Sequence, residues 1–168
     1  MKKREIPIKN YIILAAIIIS TVFITFHLAN RYKAENDYYK NFSPLYNILY
    51  EIKMEELDNY LLENPNIIIY VVNGNDDNVL EMDKTIKNFV LENDLTNDIV
   101  VINATNNINQ VTRKLNDILD EDLVTYKNNL LVHTNLFSVK DRIIDDILVP
   151  KTKDTEALTS FFRKNGVI

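Results

Sequence analysis

The longest hydrophobic run of the chain lies near its N-terminus. Residues 11–29 read YIILAAIIISTVFITFHLA and contain no Asp, Glu, Lys or Arg. A helix rises about 1.5 Å per residue, so a run of this length matches the roughly 30 Å hydrocarbon layer of a bilayer. The pattern therefore predicts one membrane-spanning helix, which contacts membrane lipid through residues 11–29.

Basic residues before this run predict its orientation. Residues 1–10 hold four basic side chains, Lys2, Lys3, Arg4 and Lys9, and one acidic side chain, Glu5. The excess of positive charge on the cytoplasmic side of membrane proteins predicts a cytoplasmic tail at 1–10 and an extracytoplasmic C-terminal part.

A cleaved signal peptide is the alternative, because it also combines a basic start with an apolar core. Three features favour an uncleaved anchor in the cell membrane. The apolar run is longer than the apolar core of most signal peptides. The sequence at its end, HLANRYKA, lacks a small-x-small cleavage site, and there is no lipoprotein-type cysteine.

The hydrophobic run at 67–72, IIIYVV, is typical of a strand buried on both faces. After a polar turn at 73–78, NGNDDN, apolar residues return at helical spacing: Val79, Met82, Ile86, Phe89 and Val90. The side chains expected to face water on this helix are Glu81, Asp83, Lys84 and Lys87. An apolar run at 99–102 follows, so strand, helix and strand predict a βαβ unit with parallel strands.

Shorter patterns complete an α/β fold, a mixed sheet flanked by helices. A strand is predicted at 48–52, and helices are predicted at 54–63, 108–119 and 153–164. The first of these helices is expected to bury Met54, Leu57, Leu61 and Leu62, and the last to end at Gly166. A hairpin is predicted from strands 130–133 and 137–144, joined by a turn at Thr134-Asn135.

These patterns divide the chain into four parts: a basic tail at 1–10, the membrane helix at 11–29, a juxtamembrane tether at 30–47 and an extracytoplasmic domain at 48–168. Pro44 in the tether breaks any helix that continues out of the membrane. Aromatic residues recur around the tether: Tyr32, Tyr38, Tyr39, Phe42, Tyr46 and Tyr50. They predict either a partner-binding surface or a membrane-proximal belt that packs under the sheet.

Composition and charge exclude several classes of function. The 168 residues contain no cysteine, which excludes disulfides, thiolate nucleophiles and cysteine-ligated metals. The formal charge is −5, and residues 34–168 alone carry 13 basic and 23 acidic side chains, a charge of −10. This balance argues against nucleic acid as a partner. The sequence contains no phosphate-binding glycine loop and no Gly-x-Ser-x-Gly elbow, and it predicts no cofactor.

The predicted order β-α-β-α-β-α-β-β-α resembles the thioredoxin fold from Ile48 onward. In that family the central strand leads to a Cys-x-x-Cys pair at the start of the next helix, and the matching residues here are Asp76-Asp77-Asn78-Val79. The proline that precedes the family's hairpin strand is replaced by Asn129, in Lys127-Asn128-Asn129-Leu130. Tyr70 stands where redox members often have a buried carboxylate. The resemblance is to a membrane-tethered, thioredoxin-like accessory protein, such as the bacteriocin-transport accessory proteins of low-GC Gram-positive bacteria.

Loss of the family's cysteines implies a protein that binds and does not exchange disulfides, because that chemistry needs a reactive thiolate. The first hypothesis is a non-catalytic module that scaffolds or assists an envelope or export complex through a protein partner. The candidate partner-binding residues are Asn75, Asp76, Asp77, Asn78, Asn128 and Asn129.

The second hypothesis is an extracytoplasmic enzyme that uses the carboxylates of Asp76 and Asp77, with or without calcium. The loop lacks the EF-hand pattern, which needs Gly at the sixth position and Glu at the twelfth, where this chain has Asn78 and Lys84. A helix cap is therefore favoured over a metal site, and no metal ligand is predicted.

Overall fold

The structure is a computed structural model that describes residues 7–35, 38–126, 133–151 and 153–168. The chain divides into two units, Met1–Asp37 and Tyr38–Ile168.

The first unit contains one long helix, α1 (Ile8–Glu35). Its apolar part runs from Ile8 to Ala29, 22 residues with a mean hydropathy of 2.5, and none of the side chains in this part is buried in the protein. The hydroxyls of Thr21 and Thr25 donate to the carbonyls four residues earlier, at 2.9 and 2.8 Å, so they do not interrupt the apolar surface. By length and composition this helix is able to cross a membrane, and a signal sequence has the same properties.

The second unit contains a five-stranded sheet. Its strands are β1 (Tyr50–Glu51), β2 (Ile67–Val72), β3 (Ile99–Asn103), β4 (Asn135–Lys140) and β5 (Ile143–Leu148), arranged in the order β1-β3-β2-β4-β5. Strands β1, β3 and β2 are parallel, whereas β4 runs antiparallel to both of its neighbours, β2 and β5. The predicted βαβ unit with parallel strands is therefore confirmed.

Strand β2 lies in the middle of this sheet because it is apolar on both faces. Ile68, Tyr70 and Val72 belong to one hydrophobic cluster, and Ile69 and Val71 belong to the other. Successive side chains of a strand point to opposite faces, so the unbroken run IIIYVV supplies both cores at once.

Helices cover the two faces of the sheet. The helices of the second unit are α2 (Tyr38–Phe42), α3 (Leu57–Glu63), α4 (Val79–Glu92), α5 (Ile108–Asp117) and α6 (Thr155–Lys164), with 3-10 helices at Met54–Glu56 and Glu121–Tyr126. Buried side chains of α4 and α6 join the cluster that contains Tyr70, and those of α3 and α5 join the cluster that contains Val71.

The last helix ends as its glycine predicts. Gly166 has a φ of +73° and donates to the carbonyl of Arg163 at 3.1 Å, while Val167 donates to the carbonyl of Phe162 at 3.0 Å. These two bonds form a Schellman motif, which favours glycine at the left-handed position.

The hairpin differs from its prediction. Its turn is Asp141-Arg142, where both residues have positive φ, 50° and 69°, as in type I′ turns. Thr134 and Asn135 are buried instead, and Asn135 begins β4. Of the predicted strand 130–133, only His133 is among the described residues, and it lies outside the strands. The polar pair was misread as a turn because buried polar residues resemble turn residues in sequence.

Two side chains lie opposite to their predicted environment. Leu62, expected in the core, is 63% exposed, and Asp83, expected to face water, is fully buried. Leu57 and Leu61 lie four residues apart on the buried face of α3, and Leu62 is rotated about 100° from Leu61 around the helix, so it lies outside that face.

The segment before β1 packs within the second unit. Residues 30–47 are predicted as a tether, yet Tyr39 and Leu45 are among the most deeply buried side chains of the cluster that contains Tyr70. The Tyr39 hydroxyl donates to the carbonyls of Leu45 and Leu49 at 3.3 and 3.4 Å, which closes the turn at 44–48. The amino-terminal side of β1 therefore contributes to the core.

A Leu45→Ala variant should lower the free energy of unfolding by about 2–5 kcal/mol, because it removes a fully buried side chain and leaves a cavity. Leu62→Ala is the matched control, and since that side chain is exposed it should change stability by no more than about 0.5 kcal/mol. Urea unfolding of the full chain in maltoside micelles, followed by near-ultraviolet circular dichroism, measures both. Equal losses would contradict a packed role for residues 38–49.

Candidate functional site

The candidate site is at the edge of the sheet where the parallel strands β2 and β3 end. The loop 73–78 follows β2, and the turn 104–107 follows β3, so the two segments lie side by side. Ligands of α/β proteins often bind beyond the carboxyl ends of parallel strands, because loops from neighbouring strands converge there. We call these two segments, together with His133 and Thr134, the polar corner.

Hydrogen bonds tie the two segments together. Thr105 Oγ1 accepts from the Gly74 amide at 2.9 Å and donates to Asn103 Oδ1 at 2.7 Å. Asn75 Nδ2 donates to the Thr105 carbonyl at 3.1 Å, and the Asn75 amide donates to Asn73 Oδ1 at 3.0 Å. Asparagine favours such local side-chain bonds, which is why an asparagine-rich loop adopts a defined shape here.

Asp76 connects the loop to the segment before β4. Its Oδ1 accepts from the Asn78 amide at 3.0 Å, and its Oδ2 accepts from the Thr134 amide at 3.2 Å. His133 Nδ1 lies 3.5 Å from the same Oδ2, and the Asn73 amide donates to Thr134 Oγ1 at 3.2 Å. Only 8% of the Asp76 side chain is exposed, compared with 62% for His133. Asp76 therefore acts as a structural acceptor that holds the polar corner together.

The predicted partner-binding residues fall into three groups. Asn75, Asp77 and Asn78 are exposed on the polar corner, and Asp76 lies beneath them. Asn128 and Asn129 lie outside the described residues, so their place relative to the loop stays a prediction.

The polar corner can donate and accept hydrogen bonds but offers few groups for acid–base chemistry. Asp77 is the exposed carboxylate of the loop, since the carboxylate of Asp76 already accepts two backbone amides. Within the described ranges, no group of three or more His, Cys, Asp or Glu side chains is placed to hold a metal ion.

Sequence reasoning missed Thr105, Thr134 and His133 as members of this corner. The position of Thr105 could have been predicted from the sequence. Asn103 and Thr105 follow a strand that is predicted to be parallel to β2, and parallel strands end at the same edge of a sheet. His133 and Thr134 directly precede β4. Their position at this edge was not predicted, because the hairpin turn was placed at Thr134-Asn135.

A buried carboxylate below the corner was also missed. Asp83 is fully buried on α4, where Oδ1 accepts from the Tyr70 hydroxyl at 2.6 Å and Oδ2 accepts from the Ser43 hydroxyl at 2.5 Å. Short bonds of this kind are typical of a hydroxyl that donates to a carboxylate. Asp83 thus joins α4, β2 and the segment before β1 at one point.

The spacing along α4 contained a signal for this burial. Val79, Asp83, Ile86 and Val90 are separated by four, three and four residues, so they lie along one face of the helix. The charge of Asp83 led to the prediction that its side chain faces solvent. Its position on the buried face of α4 and the two hydroxyl groups that donate to it explain why it is buried instead.

Replacing Asp83 should destabilise the domain strongly. Asp83→Ala leaves the hydroxyls of Tyr70 and Ser43 without this acceptor, and each unsatisfied buried group costs about 1–3 kcal/mol. Asn88→Ala, an exposed change on the same helix, should alter the free energy of unfolding by less than about 0.5 kcal/mol. Urea unfolding measures both variants, and a near-neutral Asp83→Ala would contradict the role given to this cluster.

Comparison with known proteins does not assign the chain to a family. No protein-family model matches it, and no curated protein matches it at a significant level. What the chain does must therefore be inferred from its own residues and their geometry.

Proposed function

We propose that the chain is a thioredoxin-like, redox-inactive binding module, anchored outside the membrane by its N-terminal helix, which serves as a scaffold or accessory subunit of an envelope or export complex. The polar corner is the proposed contact surface for a protein partner. One observation carries this proposal: the corner is fixed by its own hydrogen bonds while Asn75, Asp77 and Asn78 stay exposed.

The sheet supports the thioredoxin-like part of the proposal. A central strand, β2, lies between a parallel and an antiparallel neighbour, and the helix that follows it, α4, starts directly after Asp76-Asp77-Asn78. This is the order of elements for which the sequence resembles that family. The family's cysteine positions hold Asp76 and Val79, and a carboxylate or an alkyl group cannot form a disulfide.

The fixed shape of the polar corner supports binding. A loop that is already ordered before it meets a partner loses less conformational entropy on association, so more of its contact energy contributes to affinity. Asparagine side chains offer one acceptor and two donor hydrogens each, which suits recognition of polypeptide backbone.

The charge pattern at the N-terminus supports the membrane part of the proposal. Four basic residues lie before the apolar run at 11–29, and two, Arg31 and Lys33, lie directly after it. This asymmetry favours a cytoplasmic N-terminus and an extracytoplasmic domain.

The alternative of a carboxylate- or calcium-dependent enzyme has weaker support. Such chemistry needs both carboxylates of Asp76-Asp77 to face the substrate or ion. Asp76 is largely buried, and its oxygens accept the amides of Asn78 and Thr134. One exposed carboxylate on the loop is a weak ligand set for calcium, which takes six to eight oxygens.

Site-specific photocrosslinking in the native membrane tests the proposed surface. A benzoylphenylalanine placed at Asn75 or at Asp77 should give the same discrete crosslinked product with a partner protein, since both side chains are exposed on the polar corner. The control position is Glu92, which is exposed at the far end of α4 and should give no such product. Adducts of equal yield at all three positions, or none at Asn75 and Asp77, would contradict the proposal.

A further inference from the structure

Residues 38–50, YYKNFSPLYNILY, differ in charge from the rest of the second unit. They contain five aromatic residues, one basic side chain, Lys40, and no Asp or Glu. Residues 51–168 carry 12 basic and 21 acidic side chains, a charge of −9. An acidic surface is repelled by anionic headgroups, whereas a segment that combines aromatic and basic residues without acidic ones is suited to the bilayer interface.

Inward side chains hold this segment on the domain. Tyr39 is buried, and Ser43 Oγ donates to the buried carboxylate of Asp83 at 2.5 Å. Phe42, by contrast, is 63% exposed, and Tyr46, whose ring meets that of Tyr39 edge to face with centroids 5.8 Å apart, is 39% exposed. Exposed aromatic rings are therefore presented from a segment that is fixed to the core.

Chain connectivity keeps this segment close to the anchor. Helix α1 continues six residues beyond Ala29, the end of its apolar part, and α2 begins three residues after α1 ends. At about 1.5 Å per helical residue and at most about 3.6 Å per extended residue, α2 begins no more than about 20 Å from the end of the apolar part. The headgroup layer extends about 5–8 Å beyond the hydrocarbon core, and α2 is the helix of the second unit with the shortest covalent path to it.

We propose that α2 lies at the headgroup layer of the bilayer and that Phe42 inserts its ring there. The inference rests on the proposed membrane anchor and goes beyond it, because it identifies the side of the domain that faces lipid. Aromatic side chains are favoured at this depth, and the absence of acidic residues from 38–50 removes the repulsion that the rest of the domain would meet. Since the anchor already holds the domain at the membrane, the contact needs little affinity of its own.

Quenching of single tryptophans by brominated lipid tests this contact, because the chain contains no tryptophan of its own. The full chain is placed in nanodiscs of phosphatidylglycerol and phosphatidylcholine, with or without bromine on the acyl chains. Phe42→Trp should lose about half or more of its emission in brominated nanodiscs, since a ring at the interface reaches the upper part of these chains. The matched control is Leu62→Trp, which is also 63% exposed but lies on α3, a helix that packs on the other face of the sheet from Tyr39, and it should keep its emission.

A third variant separates this contact from the anchor itself. Ile19→Trp, in the middle of the apolar part of α1, should be quenched strongly whenever α1 spans the bilayer. Quenching at Ile19 with none at Phe42 would contradict the lipid contact and leave the anchor intact. Equal quenching at Phe42 and Leu62 would show that the domain has no preferred side, which overturns the inference as well. Unchanged emission at all three positions would reject the anchor together with the contact that rests on it.

Discussion

Burial of β2 on both faces is the constraint on which the rest of the domain depends. Full burial of a large apolar side chain contributes about 1.5–3 kcal/mol to the free energy of folding. The six consecutive residues of β2 therefore have to be covered on both faces of the strand and along both of its edges. Helices α4 and α6 contribute to the core on one face, α3 and α5 contribute on the other, and β3 and β4 pair with its edges. The polar corner follows from this arrangement, because the loops after two buried parallel strands must emerge at the same end.

The two aspartates that follow β2, one in the loop and one in α4, have different structural roles. Asp76 accepts two backbone amides beneath the exposed residues of the polar corner and fixes the shape of that corner. Asp83 accepts two hydroxyls in the core and joins the segment before β1 to the sheet. Both carboxylates are satisfied by protein groups, which is how buried acceptors are retained without a large free-energy cost. Asn75, Asp77 and Asn78 stay exposed on the corner that Asp76 holds in shape, and this exposure is the basis of the proposed contact surface.

The sequence predicts the elements that have long, regular patterns. It fails where a turn lacks the usual turn residues and where a side chain is buried by partners that are distant in the sequence. Strand β2, helix α4 and strand β3 were placed correctly because apolar runs and helical spacing are strong signals. The hairpin turn was misplaced because Asp141-Arg142 has no glycine, while the buried Asn135 resembles a turn residue. Asp83 was placed in water because its partners, Ser43 and Tyr70, are 40 and 13 residues away and no local pattern reveals them.

Hydrogen–deuterium exchange of the full chain, in its native membrane and after purification in maltoside, tests the central claim that the polar corner is a contact surface. Peptides that cover 73–79 should exchange more slowly in the native membrane, because a bound partner excludes water from them. Peptides from the far end of α4, around Glu92, should exchange at the same rate in both states. Unchanged exchange at 73–79, or slowing confined to other surfaces, would contradict the account.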